Sequence, residues 1–310
     1  MPITSDKRGY VAGKYGIELD GIVAGWVSSV EGGHATSDVV SEKVGSDHIV
    51  KKHIAGVKYE DITVNCGTGM SSKFYDWIKA SFDHNYVRKD GAIITADFNY
   101  KEYTRLNFFK ALITEIGFPA LDAASKDAAK MSIKFSPEYT RMVAKAGSNI
   151  AGGTFKNDQA IQKKWLPSNF KLVIDKTDCT RVNKIEAITV KQKVVDNPTG
   201  ELRDYEREPA HLEIPNLVVT LAESHAKEFY DWHEDFVIKG NNGDNMERGG
   251  SLTYLTPDLK TELFTITFEH LGIFKLTPEK VEAGSENIRR VKAEMYCEDM
   301  KFQYKSSAWT

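Results

Sequence analysis

The chain has 310 residues, 41% of them hydrophobic and 27% charged, with a net charge of −3. That length suggests one large or two medium domains with a real core, and the near-neutral charge excludes bulk attraction to nucleic acid or to an anionic membrane. Three scattered cysteines, Cys66, Cys179 and Cys297, exclude a disulfide framework and any zinc spacing, and suit reduced thiols in a cytoplasm.

The N-terminal "MPITSDKRGYVAGKYGIELD" has no apolar run fit for a signal peptide, and no window approaches the length of a membrane helix. The first predicted strand alternates, with Tyr15, Ile17 and Leu19 on one face and Gly16, Glu18 and Asp20 on the other. A second strand is expected around 24–31, then a polar stretch, then "YEDITVNC" at 59–66 with Ile62, Val64 and Cys66 alternating. Phe74, Trp77, Ile78 and Phe82 next mark one face of a helix, with Ser71 or Ser72 as its N-cap. "RKDGAIITADFNY" reads as an Asp90-Gly91 turn into a strand, and further strands follow through Phe109–Ile113.

The tetrapeptide Phe-Tyr-Asp-Trp occurs twice, and its Phe74 and Phe229 lie 155 residues apart (229 − 74). The same shift places "YGIELD" (15–20) on "FKLVID" (170–175), Val39 and Val40 on Val194 and Val195, and Ile62, Val64 and Cys66 on Leu217, Val219 and Leu221. It also places Ile116, Gly117 and Phe118 on Leu271, Gly272 and Ile273. Near the end of each copy the register breaks, and "MSIKF" (131–135) meets "VKAEM" (291–295), so the second copy carries an insertion of about five residues there. The chain therefore reads as two tandem copies, 1–145 and 167–310, joined by a linker at 146–166 whose Trp165-Leu166-Pro167 end anchors on the second copy. Each copy is expected to be mainly β with one helix (α+β), a small barrel or sandwich of six to eight strands. Phe74, Trp77, Phe229 and Trp232 are its core anchors, since helical spacing of large rings favours core packing over a ligand platform.

No catalytic constellation is visible. "GNNGDNME" (240–247) lacks the Asp/Asn alternation of a calcium loop and reads as a hairpin turn. "WHED" (232–235) spreads its charges around a helix. No phosphate loop, nucleophile elbow or zinc helix occurs, so no enzyme activity, cofactor or metal is expected.

"GIELDGIVAGWVSSVEGG" (16–33) followed by "HIAGVKYEDITVNCGTGMSSKFYDWI" (53–78) resembles the tail-tube protein family of contractile phages and phage-like extracellular injection systems. The matching features are Asp20-Gly21, Ser29-Val30-Gly32, Gly56-Lys58-Tyr59-Ile62-Thr63 and Phe74-Trp77, within about 14–140. The second copy keeps Asp175 and Phe229-Trp232 but has Asp175-Lys176 in place of the Asp-Gly hairpin. The resemblance implies two tube-type domains and a structural part in a tail or injection particle, as inner tube or tube-to-hub adaptor. It implies rings of six tube domains, hence a homohexamer or a homotrimer with pseudo-sixfold symmetry. Sheath, baseplate or spike-hub proteins are the implied partners, assembly is in the bacterial cytoplasm, and DNA or cargo passes through the lumen without specific binding. The alternative is a soluble β-domain that binds a ligand or carries cargo in the same particle.

The resemblance makes 41–56 an inter-subunit arm. Its Val44, Ile49, Val50 and Ile54 are too apolar for a solvated loop, and Lys51, Lys52 and His53 would meet acidic groups on a neighbour. The second copy's equivalent, 196–211, is more charged, and Leu202, Arg203, Tyr205 and Arg207 are expected to make a different, more polar contact.

Overall fold

The computed structural model describes residues 13–43, 45, 48–150, 165–201, 203–280 and 287–305. Six antiparallel strands close a barrel in the first half: β1 (Lys14–Leu19), β2 (Ile22–Gly32), β5 (Ile62–Cys66), β9 (Met131–Ser136), β7 (Lys101–Phe118) and β6 (Lys89–Ala96). β6 returns to β1 and β9 to β7, so the six strands leave no edge among themselves. The Asp20-Gly21 turn joins β1 to β2. Its φ angles of 49° and 75° are the two left-handed positions that a tight hairpin of right-twisted strands needs. β3 (Ala35–Glu42) and β4 (Lys51–Tyr59) leave the barrel as a two-stranded ribbon, so the expected polar loop at 41–56 is the outer half of a hairpin. β10 (Tyr139–Asn149) runs along the N-terminal part of β7.

Helix α1 (Ser72–Phe82) plugs the barrel, burying Phe74, Trp77, Ile78 and Phe82; Trp77 packs at 5.4 Å on Phe135 and donates from Nε1 to the Val87 carbonyl at 2.9 Å. Ser71 takes the N-cap place but makes no side-chain cap bond. Asp90-Gly91 is not a turn. It lies inside β6, where a Cβ on Gly91 would fall 2.1 Å from the Glu18 carbonyl oxygen, so the glycine lets two strands approach rather than reverse.

The second half builds an open sheet. Its order is β11 (Phe170–Ile174), β16 (Arg248–Leu255), β17 (Glu262–Pro278), β18 (Arg290–Tyr304), β15 (Leu217–Ala222), β12 (Val182–Ile185), with the short β8 (Leu121–Asp122) of the first half at its edge. β11 and β12 do not pair, so this is a half-barrel. Helix α2 (Lys227–His233), widening into a π turn at Glu234–Ile238, buries Phe229, Trp232 and Phe236 on it. All four expected core anchors are buried. β13 (Ile188–Asn197) and β14 (Glu206–Glu213) form the counterpart of the β3–β4 ribbon.

The two halves repeat one another pair by pair. Val27↔Cys66 and Val30↔Val64 recur as Val182↔Leu221 and Ile185↔Val219, with a bulge at the same place. Val39↔Ile54 and Ser41↔Lys52 recur as Val194↔Pro209 and Asp196↔Arg207, again with the same bulge. From the helix onward the offset grows. Gly91 corresponds to Gly250 (250 − 91 = 159), and Phe108↔Thr140 to Phe268↔Met300 (268 − 108 = 160). The inserted residues thus sit between α2 and β17, not near the end of the copy. Ile116-Gly117-Phe118 consequently corresponds to 276–278 rather than to 271–273; a short apolar match had aligned out of register. The linker at 146–166 lies mostly outside the described residues. Its end, Trp165, is buried on Tyr254 and Phe264 at 5.4 and 5.5 Å.

Candidate assembly surfaces

The two halves meet side by side, through a continuous sheet. On the β6 side of β7, the end of β7 takes β13 as its neighbour, with Glu115↔Lys191 and Phe118↔Ile188 as Cα partners, while β8 pairs with β12 through Asp122↔Lys184. Phe118, Ile188 and Val190 are all buried there. Phe118 enters the mouth of the half-barrel, 5.6–6.0 Å from Tyr254, Phe264 and Phe302. From α1, Phe82 stacks on Phe302 at 5.8 Å and Tyr75 on Tyr304 at 5.2 Å, and the Tyr304 hydroxyl donates to Asp76 at 2.8 Å. One hydrophobic core therefore runs through both halves.

The β13–β14 ribbon folds back over the first half and supplies the polar part of this seam. Arg207 donates to Asp61 Oδ1 and to the Tyr59 carbonyl, both at 2.9 Å. The Tyr59 hydroxyl donates to Asp204 at 2.9 Å and accepts from Arg141 at 2.6 Å. Burial raises the Tyr59 phenol above its ordinary value, while the bond to Tyr59 raises the Arg141 guanidinium. The Tyr205 hydroxyl lies over Gly56. Arg203 is exposed and Leu202 lies outside the described residues. Arg207 and Tyr205, expected at a subunit boundary, are thus held by the chain's own barrel: the second ribbon is used within the molecule.

The β3–β4 ribbon touches the second ribbon at its base and is exposed in its outer half. Val39, Ile49 and Ile54 are 63%, 67% and 68% exposed, Val40 and Val50 are also exposed, and Lys51, Lys52 and His53 face outward. Val44 lies outside the described residues. Across the ribbon Lys58 meets Asp38 at 2.5 Å, and that hydrogen bond raises the Lys58 ammonium. At the ribbon's base the barrel mouth is an open concavity of about 900 Å³, whose lining includes Tyr15, Thr95, Thr104 and Met142.

Residues 11–141 match the family model described as T4-like virus tail tube protein gp19. The matched stretch, 131 of the chain's 310 residues, is similar to that family. It spans the closed barrel, α1 and the β3–β4 ribbon. Among solved structures, the tube-terminating cap of the anti-feeding prophage is 20% identical with a TM-score of 0.40, over 47% of this chain and 100% of the cap. The sheath/tube terminator of the PVC extracellular contractile injection system is 22% identical with a TM-score of 0.40, over 45% of this chain and 100% of that one. Hcp1 from Flavobacterium johnsoniae is 14% identical with a TM-score of 0.28, over 44% of this chain and 95% of its own. No curated protein matches the chain.

Outside residues 11–141, Glu247, His270 and Glu298 come together with ligand atoms within 4.8 Å of one another. Residue spacing carries no sign of this, because the residues come from three separate segments. Both Glu247 oxygens already serve the protein, one bonded to the His270 ring at 2.7 Å and the other accepting from Tyr296 at 2.6 Å. Glu247 raises both partners, mainly through its hydrogen bond for His270 and second to burial for Tyr296. The group is a surface hydrogen-bond cluster built on a carboxylate. No described helix is long and apolar enough to cross a membrane.

Proposed function

We propose that this chain is a structural component of a contractile tail or a phage-like injection particle, and that it works by assembling into rings rather than by catalysis. The observation that carries this reading is the tail-tube match over a closed barrel whose neighbour in the same chain is a second unit of like register, joined to it laterally. The second unit is read as a diverged tandem copy, with the boundaries 1–145 and 167–310. Lateral joining favours two neighbouring ring positions per chain over two stacked layers, so three chains would supply a ring of six units. A ring with threefold chains and sixfold units suits a tube-to-hub adaptor better than a uniform inner tube. The exposed β3–β4 ribbon is then the inter-subunit arm, with Ile49, Val50 and Ile54 on a neighbour and Lys51, Lys52 and His53 setting register. Sheath, baseplate or spike-hub proteins are the fitting partners, and the lumen passes DNA or cargo without reading it.

Negative-stain electron microscopy of the purified chain tests this. Rings or tubes are expected. A compact monomer at high concentration would overturn the reading and favour the soluble binding module instead.

A further inference from the structure

Strand register gives the cluster of Glu247, His270 and Glu298 a counterpart in the first half. Lys89↔Ala111 and Gly91↔Phe108 recur as Arg248↔Leu271 and Gly250↔Phe268, so Glu247 stands where Arg88 does and His270 where Lys110 does. Phe109↔Tyr139 recurs as Glu269↔Asp299, so Glu298 stands where Glu138 does. In the first half these positions hold two permanent cations and an acid: Lys110 reaches Glu138 at 3.0 Å and Arg88 lies 3.9 Å from it. In the second half they hold two acids and an imidazole, with ligand atoms within 4.8 Å of one another. One set neutralises its own carboxylate; the other gathers two carboxylates round a nitrogen donor.

Two further differences shape the second set. Leu112↔Ser136 is replaced at the same register by Gly272↔Tyr296. A Cβ on Gly272 would fall 2.1 Å from the Tyr296 ring, so the glycine lets that ring lie across β17. The Tyr296 hydroxyl thereby donates to Glu247 Oε1 at 2.6 Å, while the His270 ring meets Oε2 at 2.7 Å. The Glu247 side chain is only 6% exposed and is fixed in place, whereas His270 and Glu298 stand at the surface. Asp244 and Glu269 add negative charge nearby. Arg248, the adjacent cation, is turned away onto the Trp232 ring and the Lys176 carbonyl.

We propose that Glu247, His270 and Glu298 form a zinc site in the second half, with Tyr296 as the positioning residue for Glu247. One imidazole with two carboxylates suits a borderline divalent ion; Mg²⁺ and Ca²⁺ prefer oxygen alone. Zinc bonds of about 2.0–2.2 Å set tetrahedral ligand atoms about 3.4 Å apart, so the surface side chains close in by about 1 Å on the fixed carboxylate. The ion takes the place of the proton between Glu247 and His270, and water supplies the fourth ligand. The Tyr296 hydroxyl goes on donating to Glu247, the kind of outer bond that orients a metal ligand. Zinc would clamp three segments to one another: the residue after the Asp244–Met246 turn, the bulge of β17, and β18. The site lies within one chain, so it stands or falls independently of the ring reading.

Zinc titration of the full chain tests this. The chain is stripped with a chelator and titrated with zinc sulfate by calorimetry, and the retained metal is counted by mass spectrometry after gel filtration. One zinc per chain is expected, and it should raise the thermal midpoint. Glu298→Gln and His270→Asn should each weaken binding by more than about tenfold and remove that shift. Asparagine tolerates the φ of 57° at 270, and both side chains are exposed, so the metal-free melts should match the parent. Tyr296→Phe should weaken binding by about tenfold, while cobalt(II) bound to it keeps the parent's visible spectrum because the ligands remain. Lys110→Asn, at the counterpart of His270, should leave zinc binding unchanged. A chain that retains no zinc, or retains it equally in His270→Asn and Glu298→Gln, overturns the site. Displacement of the zinc by an equal concentration of magnesium would also overturn it, since that marks an acidic surface and not a nitrogen-bearing site.

Discussion

The barrel and the half-barrel are made from the same strand pairs, yet one closes and the other does not. The difference begins at one turn. In the barrel, Asp20-Gly21 supplies two positive φ angles and β1 turns directly into β2. In the half-barrel the corresponding residues are Asp175-Lys176, and on the turn side β11 keeps only an isolated bridge, Ile174 to Thr177. Lys176 does adopt a φ of 55°, but a side chain there strains a two-residue hairpin that glycine accepts freely. Opening the second sheet leaves a mouth wide enough for Phe118 and Trp165, and those rings weld the halves together. The lesson is that a sheet built from the same strand pairs can stay open when rings from the neighbouring half fill its mouth.

The largest effects that would break this comparison lie in the helices. Replacing Trp77 or Trp232 by Ala should each cost about 3–5 kcal/mol in denaturant unfolding, since both indoles are buried against their sheets. Phenylalanine should separate the two. Trp77 donates to Val87, whereas Trp232 Nε1 has no acceptor among the described residues and the Trp232 ring centroid lies 4.2 Å under the Arg248 guanidinium. Trp77→Phe should therefore cost about 1 kcal/mol more than Trp232→Phe; equal costs would show that the repeated helices are energetically alike.

Next come the ribbons. Arg207→Ala should destabilise the chain by about 1.5–3 kcal/mol, because the guanidinium is only 15% exposed and serves Asp61 and Tyr59. Its counterpart Lys52→Ala should change stability by less than about 0.5 kcal/mol, since it stands on an exposed face. A matching loss at Lys52 in the isolated chain would contradict the assignment of one ribbon to the inside and the other to the outside.

A smaller contrast lies at two equivalent glycines. A Cβ on Gly91 would meet the Glu18 carbonyl at 2.1 Å, and one on Gly250 the Val173 carbonyl at 2.9 Å. Both alanine variants should lose stability, Gly91→Ala by the larger part of about 1–3 kcal/mol. The reverse order, read from unfolding midpoints, would mean that the open sheet is the stiffer one.

The smallest effect concerns thiols. Burial pushes Cys66, Cys179 and Cys297 from the ordinary 9.0 up to about 12. The native chain should resist thiol reagents at pH 8 and become fully reactive in denaturant. The sign of the linkage follows. The raised native values help stability below pH 9, and that help drains away as pH rises towards 12, because the unfolded thiols ionise first. Stability that rises over this window would contradict burial of the three groups.

Much of this architecture was legible from residue spacing. The alternation of Ile62, Val64 and Cys66 and the i, i+3, i+4 rings of α1 follow directly from burial on one face. The offset of 155 carried β1 through α1 in register because no residue is inserted there. It failed beyond α2, where a short apolar triplet matched equally well at a wrong offset. Asp90-Gly91 was misread as a turn because a glycine needed for close strand approach has the same local signature as one needed for a hairpin. The seam itself was beyond sequence reasoning. Nothing local distinguishes Arg207, which reaches Asp61, from Lys52, which reaches solvent, because Arg207 and its partner sit 146 positions apart along the chain.

The central claim is that this chain joins copies of itself head to tail into a ring of six units. Native mass spectrometry of the full chain reads this directly. The account predicts a dominant species of three chain masses. A species of one chain mass at every concentration, or an even dimer closed by a two-fold axis, would contradict it.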